Sequence, residues 1–249
     1  MHLLYYRPSI FSHFNKELHL AESTRLGGVS TGCYKSLNLS FNNTDTAENV
    51  VENRKRLAKS LGYDIDQLAS IHQVHGDRVL RIHQPGHWQA YDGLITNKKG
   101  IVLAISIADC TPVLIYDPSQ KAIGAVHAGW KGTVAQITAQ ALLAMRDAFG
   151  TKPADCWAYI GSCIGANDFE VDADVADHFD EKYKTWNHEK KKFFVDLKTS
   201  NLDQLTRLGV SNSQIAISPH STYRCTDRYF SHRAEQGKTG RMLAVIGMK

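Results

Sequence analysis

Between residues 101 and 127, three apolar runs follow one another so closely that only strands accommodate them. The runs cover 101–107, 112–117 and 121–127, are rich in Ile, Val and Leu, and are separated by Ala108-Asp109-Cys110 and by Asp117-Pro118-Ser119-Gln120. Each is too short for a helix and is bounded by turn-forming residues, the signature of buried strands. The Asp-Pro-Ser-Gln block has Asp at the first and Pro at the second turn position, a type I pattern. A hairpin closed there pairs 116 with 121 and 114 with 123. Continued to its open end, the ladder sets Cys110 opposite His127, with Cβ atoms about 4.5–5.5 Å apart.

Further apolar runs predict strands over 68–74, 78–82, 156–161, 192–197, 214–218 and 242–247. Segment 44–61 reads as a helix: Asp45 and Glu48 have capping-box spacing, Val50, Leu57 and Leu61 share a face, and Gly62 suits the residue after the last turn. A second helix is predicted over 133–149, with Val134, Ile137, Ala141, Met145 and Ala148 as its buried stripe and Gly150 as its stop. Shorter helices are expected at 172–180 and 199–208. Strands dominate the centre, and helices follow hairpins more often than single strands. That pattern predicts an α+β fold, a single domain over 1–249 with mixed, largely antiparallel sheets packed with flanking helices. Neither a Gly-x-Gly-x-x-Gly motif opening a helix nor a Walker loop occurs.

Apolar content of 43% with 22% charged residues is that of an ordinary globular protein, and a net charge of +4 is too small and too scattered to call for a nucleic-acid partner. The densest basic run, Lys190-Lys191-Lys192, reads as a solvated turn entering a strand. The N-terminal stretch Met1-His2-Leu3-Leu4-Tyr5-Tyr6-Arg7-Pro8 lacks the charged and apolar regions of a signal peptide. No apolar run approaches the length of a membrane span. Five widely spaced cysteines, Cys33, Cys110, Cys156, Cys163 and Cys225, do not form a disulfide framework. A reducing, cytoplasmic setting with free thiols is expected.

Cys110 and His127, opposed across the hairpin end, can share one metal ion, because zinc bonds sulfur and nitrogen at about 2.3 and 2.0–2.1 Å. His75, at a strand end before Gly76-Asp77, offers a third ligand. Three protein ligands leave a fourth position for water or substrate, the pattern of a catalytic zinc site. Two other readings compete: a buried Cys beside a hydrogen-bonded strand-end His, and a metal-free Cys110–His127 nucleophile pair oriented by Asp109. A fourth ligand from Cys163 or Cys225 would instead make the metal a structural staple. Asp109 is also a candidate for orienting a ligand, provided the backbone turns there. Beyond His127, Ala128-Gly129-Trp130-Lys131-Gly132-Thr133 leads into a helix whose first amides could hold an anion or which Thr133 could simply cap. The loop from Phe230 to Arg241 packs His232, Arg233, Lys238 and Arg241 between glycines and could hold phosphate or be solvated; Ser23-Thr24-Arg25-Leu26-Gly27-Gly28-Val29-Ser30 has the same ambiguity.

Together these segments resemble one family, the bacterial purine nucleoside phosphorylases also called peptidoglycan-editing or laccase-like polyphenol oxidase proteins. The resemblance rests on Ser23-Thr24-Arg25-Leu26-Gly27-Gly28-Val29-Ser30, Ser36-Leu37-Asn38-Leu39, Glu52-Asn53-Arg54, Gln73-Val74-His75-Gly76, Ala108-Asp109-Cys110-Thr111-Pro112-Val113, Val126-His127-Ala128-Gly129-Trp130-Lys131-Gly132, Ile160-Gly161-Ser162-Cys163-Ile164-Gly165, Cys225-Thr226, Phe230-Ser231-His232-Arg233 and Thr239-Gly240-Arg241, in family order. It implies packed mixed sheets and a zinc held by His75, Cys110 and His127, with His75 rather than His72 as the third ligand. Copper ranks below zinc as the metal. It further implies phosphorolysis of adenosine, inosine and S-methyl-5′-thioadenosine, with adenosine deamination as a second activity. Purine nucleoside and phosphate would be the binding partners, with Arg25, Asn38 and Arg233 as candidate substrate-binding residues. One departure stands out. Family members often carry Arg-Asp after Phe-Ser-His-Arg, where this chain has Ala234-Glu235, one cation fewer. The alternatives on the same metal site are a cytoplasmic hydrolase that edits peptidoglycan precursors and, ranked lower, a copper-dependent phenol oxidase, which would need more than one compact ligand set.

Overall fold

A computed structural model describes residues 4–249; Met1, His2 and Leu3, part of the segment read as no signal peptide, lie outside the described residues. Two six-stranded sheets face each other. The first runs in the order Tyr5–Tyr6, Leu18–Ser23, Met242–Met248, Val102–Ile107, Leu68–His72, Gly86–Gln89. The second runs Ile215–Ile217, Trp157–Ile160, Thr111–Asp117, Ala122–Ala128, Gly93–Thr96, Val79–Arg81. Most neighbours are antiparallel, with parallel pairs toward the ends of each sheet. A small three-stranded sheet, Glu170–Val171, Lys192–Val195 and Lys184–Asn187, stands apart.

The unbroken apolar runs of the sequence now have a cause. Side chains alternate between the two faces of a strand, and here both faces are covered. From Val102–Ile107, Leu103, Ile105 and Ile107 enter the core between the sheets, while Val102 and Ala104 pack outward. There they meet Leu57, Ala58 and Leu61 of the helix Ala47–Leu61. From Thr111–Asp117, Leu114 and Tyr116 point inward, while Val113 and Ile115 pack against Ile137, Ala141 and Met145 of the helix Ile137–Phe149. The layers are helix, sheet, sheet, helix, and the mixed α+β class expected from the sequence is the one observed.

Several local expectations shift. The first helix starts at Ala47, capped by the Thr46 side chain, which accepts from the Asn49 amide; Asp45 instead ties the preceding loop together. Gly62 is left-handed, as expected. The second helix is broken: a short turn, Trp130–Val134, is capped by Gly129 rather than by Thr133, and Gln136 at φ 61° separates it from Ile137–Phe149. The 172–180 helix shortens to Ala173–Ala176, and 199–208 becomes Leu197–Arg207. Lys190 and Lys191 do sit in a turn before Lys192–Val195.

The hairpin register also moves. Tyr116 faces Ile123 and Pro112 faces His127, so every partner lies two residues beyond the predicted one. Asp117 is the cause: its Oδ1 accepts from the amides of Ser119 and Gln120. With Lys121 left-handed at φ 49°, the loop closes over four residues instead of two. A shift of two keeps every side chain on its own face, so His127 still lies on the face expected for it.

Candidate metal centre and cavity

Three chain crossings meet at one end of the sandwich. His75 follows the end of Leu68–His72, Cys110 lies where the chain passes from the first sheet to the second, and His127 closes Ala122–Ala128. Their ligand atoms all lie within 4.8 Å of one another, the single such group among the described residues. The rings of His75 and His127 meet edge to face, with centroids 4.9 Å apart. A tetrahedral ion bonded at zinc-like lengths needs ligand atoms roughly 3.4–3.7 Å apart, so small side-chain adjustments close the cage. Cys163 is buried elsewhere and donates to the Ile164 carbonyl, and neither it nor Cys225 joins the group. All five cysteines are free.

Backbone conformations normally left to glycine bring the ligands together: His75 at φ 61° and Asp109, just before Cys110, at φ 83°. Left-handed geometry at a non-glycine residue costs about 1–3 kcal/mol and persists only where neighbours impose it. At His75 the neighbour is Asp92. This fully buried residue accepts from the amides of Val74 (3.2 Å), His75 (3.0 Å) and Gly76 (2.8 Å). It also accepts from His127 Nδ1 (2.9 Å), and its carbonyl takes the His127 amide at 2.7 Å. One carboxylate thus fixes two ligand loops, and its bond to Nδ1 leaves His127 Nε2 for a metal. In sequence Asp92 looks like loop punctuation, Tyr91-Asp92-Gly93, and no spacing rule points to it.

Asp109, the sequence candidate for orienting a ligand, does something else. Its Oδ1 accepts from Thr222 Oγ1 and its Oδ2 from the Arg233 amide, both at 2.6 Å. It anchors the C-terminal loop beside the metal group. Gly129 makes room for that group, since a Cβ there would lie 2.9 Å from His75 Cδ2 and 3.2 Å from Cys110 Sγ.

The donor set and its charges suit a thiophilic divalent metal. Burial alone would push the Cys110 thiol up; the facing His127, with hydrogen bonds to both histidines, overrides it and brings the thiol down to about 6. His127 moves the opposite way: burial disfavours its charge, yet Cys110 and Asp92 lift it to about 9. A thiolate is the form that binds metal, and an arriving ion displaces the imidazole proton.

The trio opens into a cavity of about 390 Å³, within the usual range for small-molecule sites. One part of its lining is apolar, with Trp130, Ile164, Phe169 and Leu197 belonging to a common hydrophobic cluster. Trp130 is stacked on His178, centroids 6.0 Å apart. Another part is polar and cationic, with Arg233 and Arg241 as the charges and His232, whose pKa burial and the nearby Arg241 lower, beside them. Of the sequence-predicted substrate residues, Arg233 reaches the cavity, whereas Arg25 and Asn38 are in the surrounding framework. Arg25 pairs with Glu235 at 3.0 Å, donates to the carbonyls of Thr226 and Lys35, and lies over the Phe230 ring. The Glu235 that departs from the family pattern is therefore the partner that neutralises Arg25. His72 also lines the cavity but is not in the ligand group.

A trio able to hold a metal, with an open side, set at the end of a two-sheet sandwich and facing a cavity of small-molecule size, is the layout of a metal-binding enzyme. The chain belongs to the family described as multi-copper polyphenol oxidoreductase laccase, whose model matches residues 19–249. It is 39% identical to a purine nucleoside phosphorylase of Deinococcus radiodurans, over 92% of this chain and 88% of that one. It is 34% identical to the purine nucleoside phosphorylase YlmD of Bacillus subtilis, over 94% and 90%. The structure of YlmD from Geobacillus stearothermophilus superposes with a TM-score of 0.90 at 29% identity, covering 99% of both chains. That of the hypothetical protein YfiH of Bacillus licheniformis gives 0.90 at 32% identity, over 95% and 94%. No helix among the described residues is long and apolar enough to cross a membrane.

Proposed function

We propose that the chain is a zinc-dependent purine nucleoside phosphorylase. It would cleave adenosine, inosine and S-methyl-5′-thioadenosine with phosphate to the free base and the sugar 1-phosphate, and deaminate adenosine as a side activity. The observation that carries this reading is the cavity, which sets an apolar wall and a cationic wall around one open metal trio; relatives named purine nucleoside phosphorylases support it. Two nitrogens and a thiolate also form the set of blue-copper sites, which a weak axial ligand completes. Zinc is favoured here because the trio faces a cavity with no methionine in its lining, leaving a position open for Lewis-acid chemistry. When bound, zinc supplies Lewis-acid polarisation of an oxygen, serving phosphorolysis and deamination alike.

The chain's own residues do the rest. His75, Cys110 and His127 hold the metal, and Asp92 holds His75 and His127 in register. Trp130 and Phe169 line the cavity and would give a purine apolar contact. Arg233, anchored through its amide by Asp109 and through Nη1 by the Glu170 carbonyl, places positive charge beside the cavity. Free cysteines are consistent with work in a reducing cytoplasm.

The test is phosphate-dependent release of hypoxanthine from inosine by purified zinc-loaded protein. Cys110→Ala should abolish both turnover and stoichiometric zinc, and normal turnover in that variant would refute the site. Amine release from a serine-bearing cell-wall precursor without base release would select the editing reaction. Copper-dependent dioxygen uptake would select the oxidase.

A further inference from the structure

Arg241 lines the cavity and forms no ion pair with a carboxylate among the described residues. Its Nη1 donates to the carbonyls of Thr239 (3.1 Å) and Gly240 (2.9 Å), and its Nη2 lies 3.4 Å from His232 Nδ1. A guanidinium carries five N–H donors. Among the described residues Nε has no hydrogen-bond partner, and Nη2 has only the long contact to His232. Nε and Nη2 share one edge of the guanidinium, the edge that can present a fork to two oxygens of a tetrahedral or planar oxyanion. Arg25 offers the contrast: it is neutralised by Glu235 and lies outside the cavity.

The position of Arg241 is set by motifs that the metal site does not explain. Asn38 Oδ1 accepts from the Arg241 amide at 3.0 Å, and the Leu39 amide donates to the Arg241 carbonyl at 3.0 Å. Asn38 is fully buried, and its Nδ2 is held by Asp45 Oδ2 at 2.9 Å. Its carbonyl accepts from Nδ2 of Asn53, a second fully buried amide that also donates to Ser30 Oγ, both at 2.9 Å. A polar chain thus runs from the helix Ala47–Leu61 through Ser30 and Asn38 to the backbone of Arg241. Buried side-chain amides are tolerated only when their hydrogen bonds are met, and a fully satisfied network fixes one geometry. This network delivers a half-buried guanidinium to the cavity.

We propose that Arg241, flanked by His232 and Arg233, is the receptor for a tetrahedral oxyanion, inorganic phosphate in the reaction above, and that Asn38 is the residue that positions it. The assignment of phosphate as co-substrate rests on the phosphorylase reading; the anion receptor itself does not. In phosphorolysis a phosphate oxygen forms the new bond to C1′ as the C1′–N9 bond breaks. The bonding pair leaves with the purine, which takes up the proton of hydrogen phosphate. Arg241 contributes charge and orientation, holding two oxygens so that a third can approach the carbon.

Calorimetric titration of inorganic phosphate into the zinc-loaded protein, at constant ionic strength, tests the receptor directly. Arg241→Met should weaken phosphate binding about tenfold or more, the usual effect of losing a charge-assisted fork, and Arg241→Lys should restore part of it. Asn38→Ala should weaken it with zinc content unchanged. Arg146→Met, which removes an exposed charge paired with Asp147, should bind as the wild type does. In the inosine assay Arg241→Met should raise KM for phosphate while leaving KM for inosine near its original value. Undiminished phosphate binding by a folded, zinc-replete Arg241→Met protein, or none by the wild type, overturns the proposal. Phosphate binding lost in Arg241→Met, without base release by the wild type, would retain the receptor and sink the phosphorylase reading. Phosphate-dependent base release with an unchanged phosphate KM in Arg241→Met would do the reverse.

Discussion

Asp92→Asn removes one charge and replaces one acceptor by a donor at the junction of two ligand loops. Asp92 Oδ1 accepts from the His75 amide and His127 Nδ1, and Oδ2 from the amides of Val74 and Gly76. An asparagine can serve only one of these pairs, so its amide group must face two N–H donors. The better arrangement keeps the oxygen toward His75 and His127, leaving Val74 and Gly76 to solvent, which reaches the exposed Val74. A lost hydrogen bond to a charged group costs about 1.5–3 kcal/mol where no water replaces it. With solvent recovering part at Val74, a loss of about 2–4 kcal/mol is expected. For a chain of this length that lowers Tm by roughly 5–15 °C. The metal suffers separately, because the weakened bond to His127 Nδ1 frees the ring to rotate, and loss of such a partner typically costs about 10–100-fold in affinity. Thermal melting of metal-free protein gives the first quantity, and chelator competition for zinc the second. An Asp92→Asn protein with wild-type zinc affinity and a Tm within about 1 °C would refute the claim that this carboxylate holds the site. The pH dependence follows the same bonds. Burial would raise the Asp92 pKa, but His127 and the amides of Gly76 and Val74 bring it below the usual value. The folded state therefore binds this proton less tightly than the unfolded chain, and the stabilisation is present above about pH 4 and lost as pH falls below it.

Gly129→Ala should fold normally yet lose metal and turnover, because the new Cβ would press on His75 Cδ2 and Cys110 Sγ; full zinc occupancy in that variant would contradict the packing argument. Glu22 is wholly buried, accepts from Tyr159 and the Ser162 amide, and has Oε1 without a hydrogen-bond partner, so burial raises its pKa. A proton kept by the folded state and released by the unfolded chain means that stability declines as pH rises above about 4.5. Glu22→Gln should remove that decline in a series of melts from acid to neutral pH, and an unchanged slope would count against it. Arg25→Met should lower Tm through loss of the half-buried pair with Glu235 while leaving phosphate KM unchanged; a raised phosphate KM at unchanged Tm would return Arg25 to the binding site.

Strand runs, the long helices and the three metal-ligand candidates were legible in the chain because each depends on local pattern. Short unbroken apolar runs, Gly62 and Gly150 as helix stops, and Cys and His at the ends of strands are all nearest-neighbour information. Leu18–Ser23, Gly86–Gln89 and Gly93–Thr96 lie outside the predicted strands, because each apolar run is short or broken by polar residues; His19, Glu22 and Ser23 are buried only because a neighbouring strand and loops cover them. The hairpin register differs by two from the one the turn residues predict, because Asp117 holds two loop amides, a choice between near-equal turns that the full ladder decides.

Local pattern marks the residues able to ligate a metal and sets them at strand ends. Their surroundings come from long-range packing. Asp92, 17 residues from His75 and 35 from His127, becomes their common anchor when two sheets close face to face. Arg25 and Arg241 look alike as basic residues in glycine-punctuated loops. Long-range contacts separate them: Glu235 meets Arg25 and neutralises it, while Asn38 holds the backbone of Arg241, whose guanidinium meets carbonyl oxygens and His232 but no carboxylate among the described residues. Local pattern supplies the groups, but charge pairing and cavity walls arise from residues far apart in the chain, and spacing carries no record of which of them will meet.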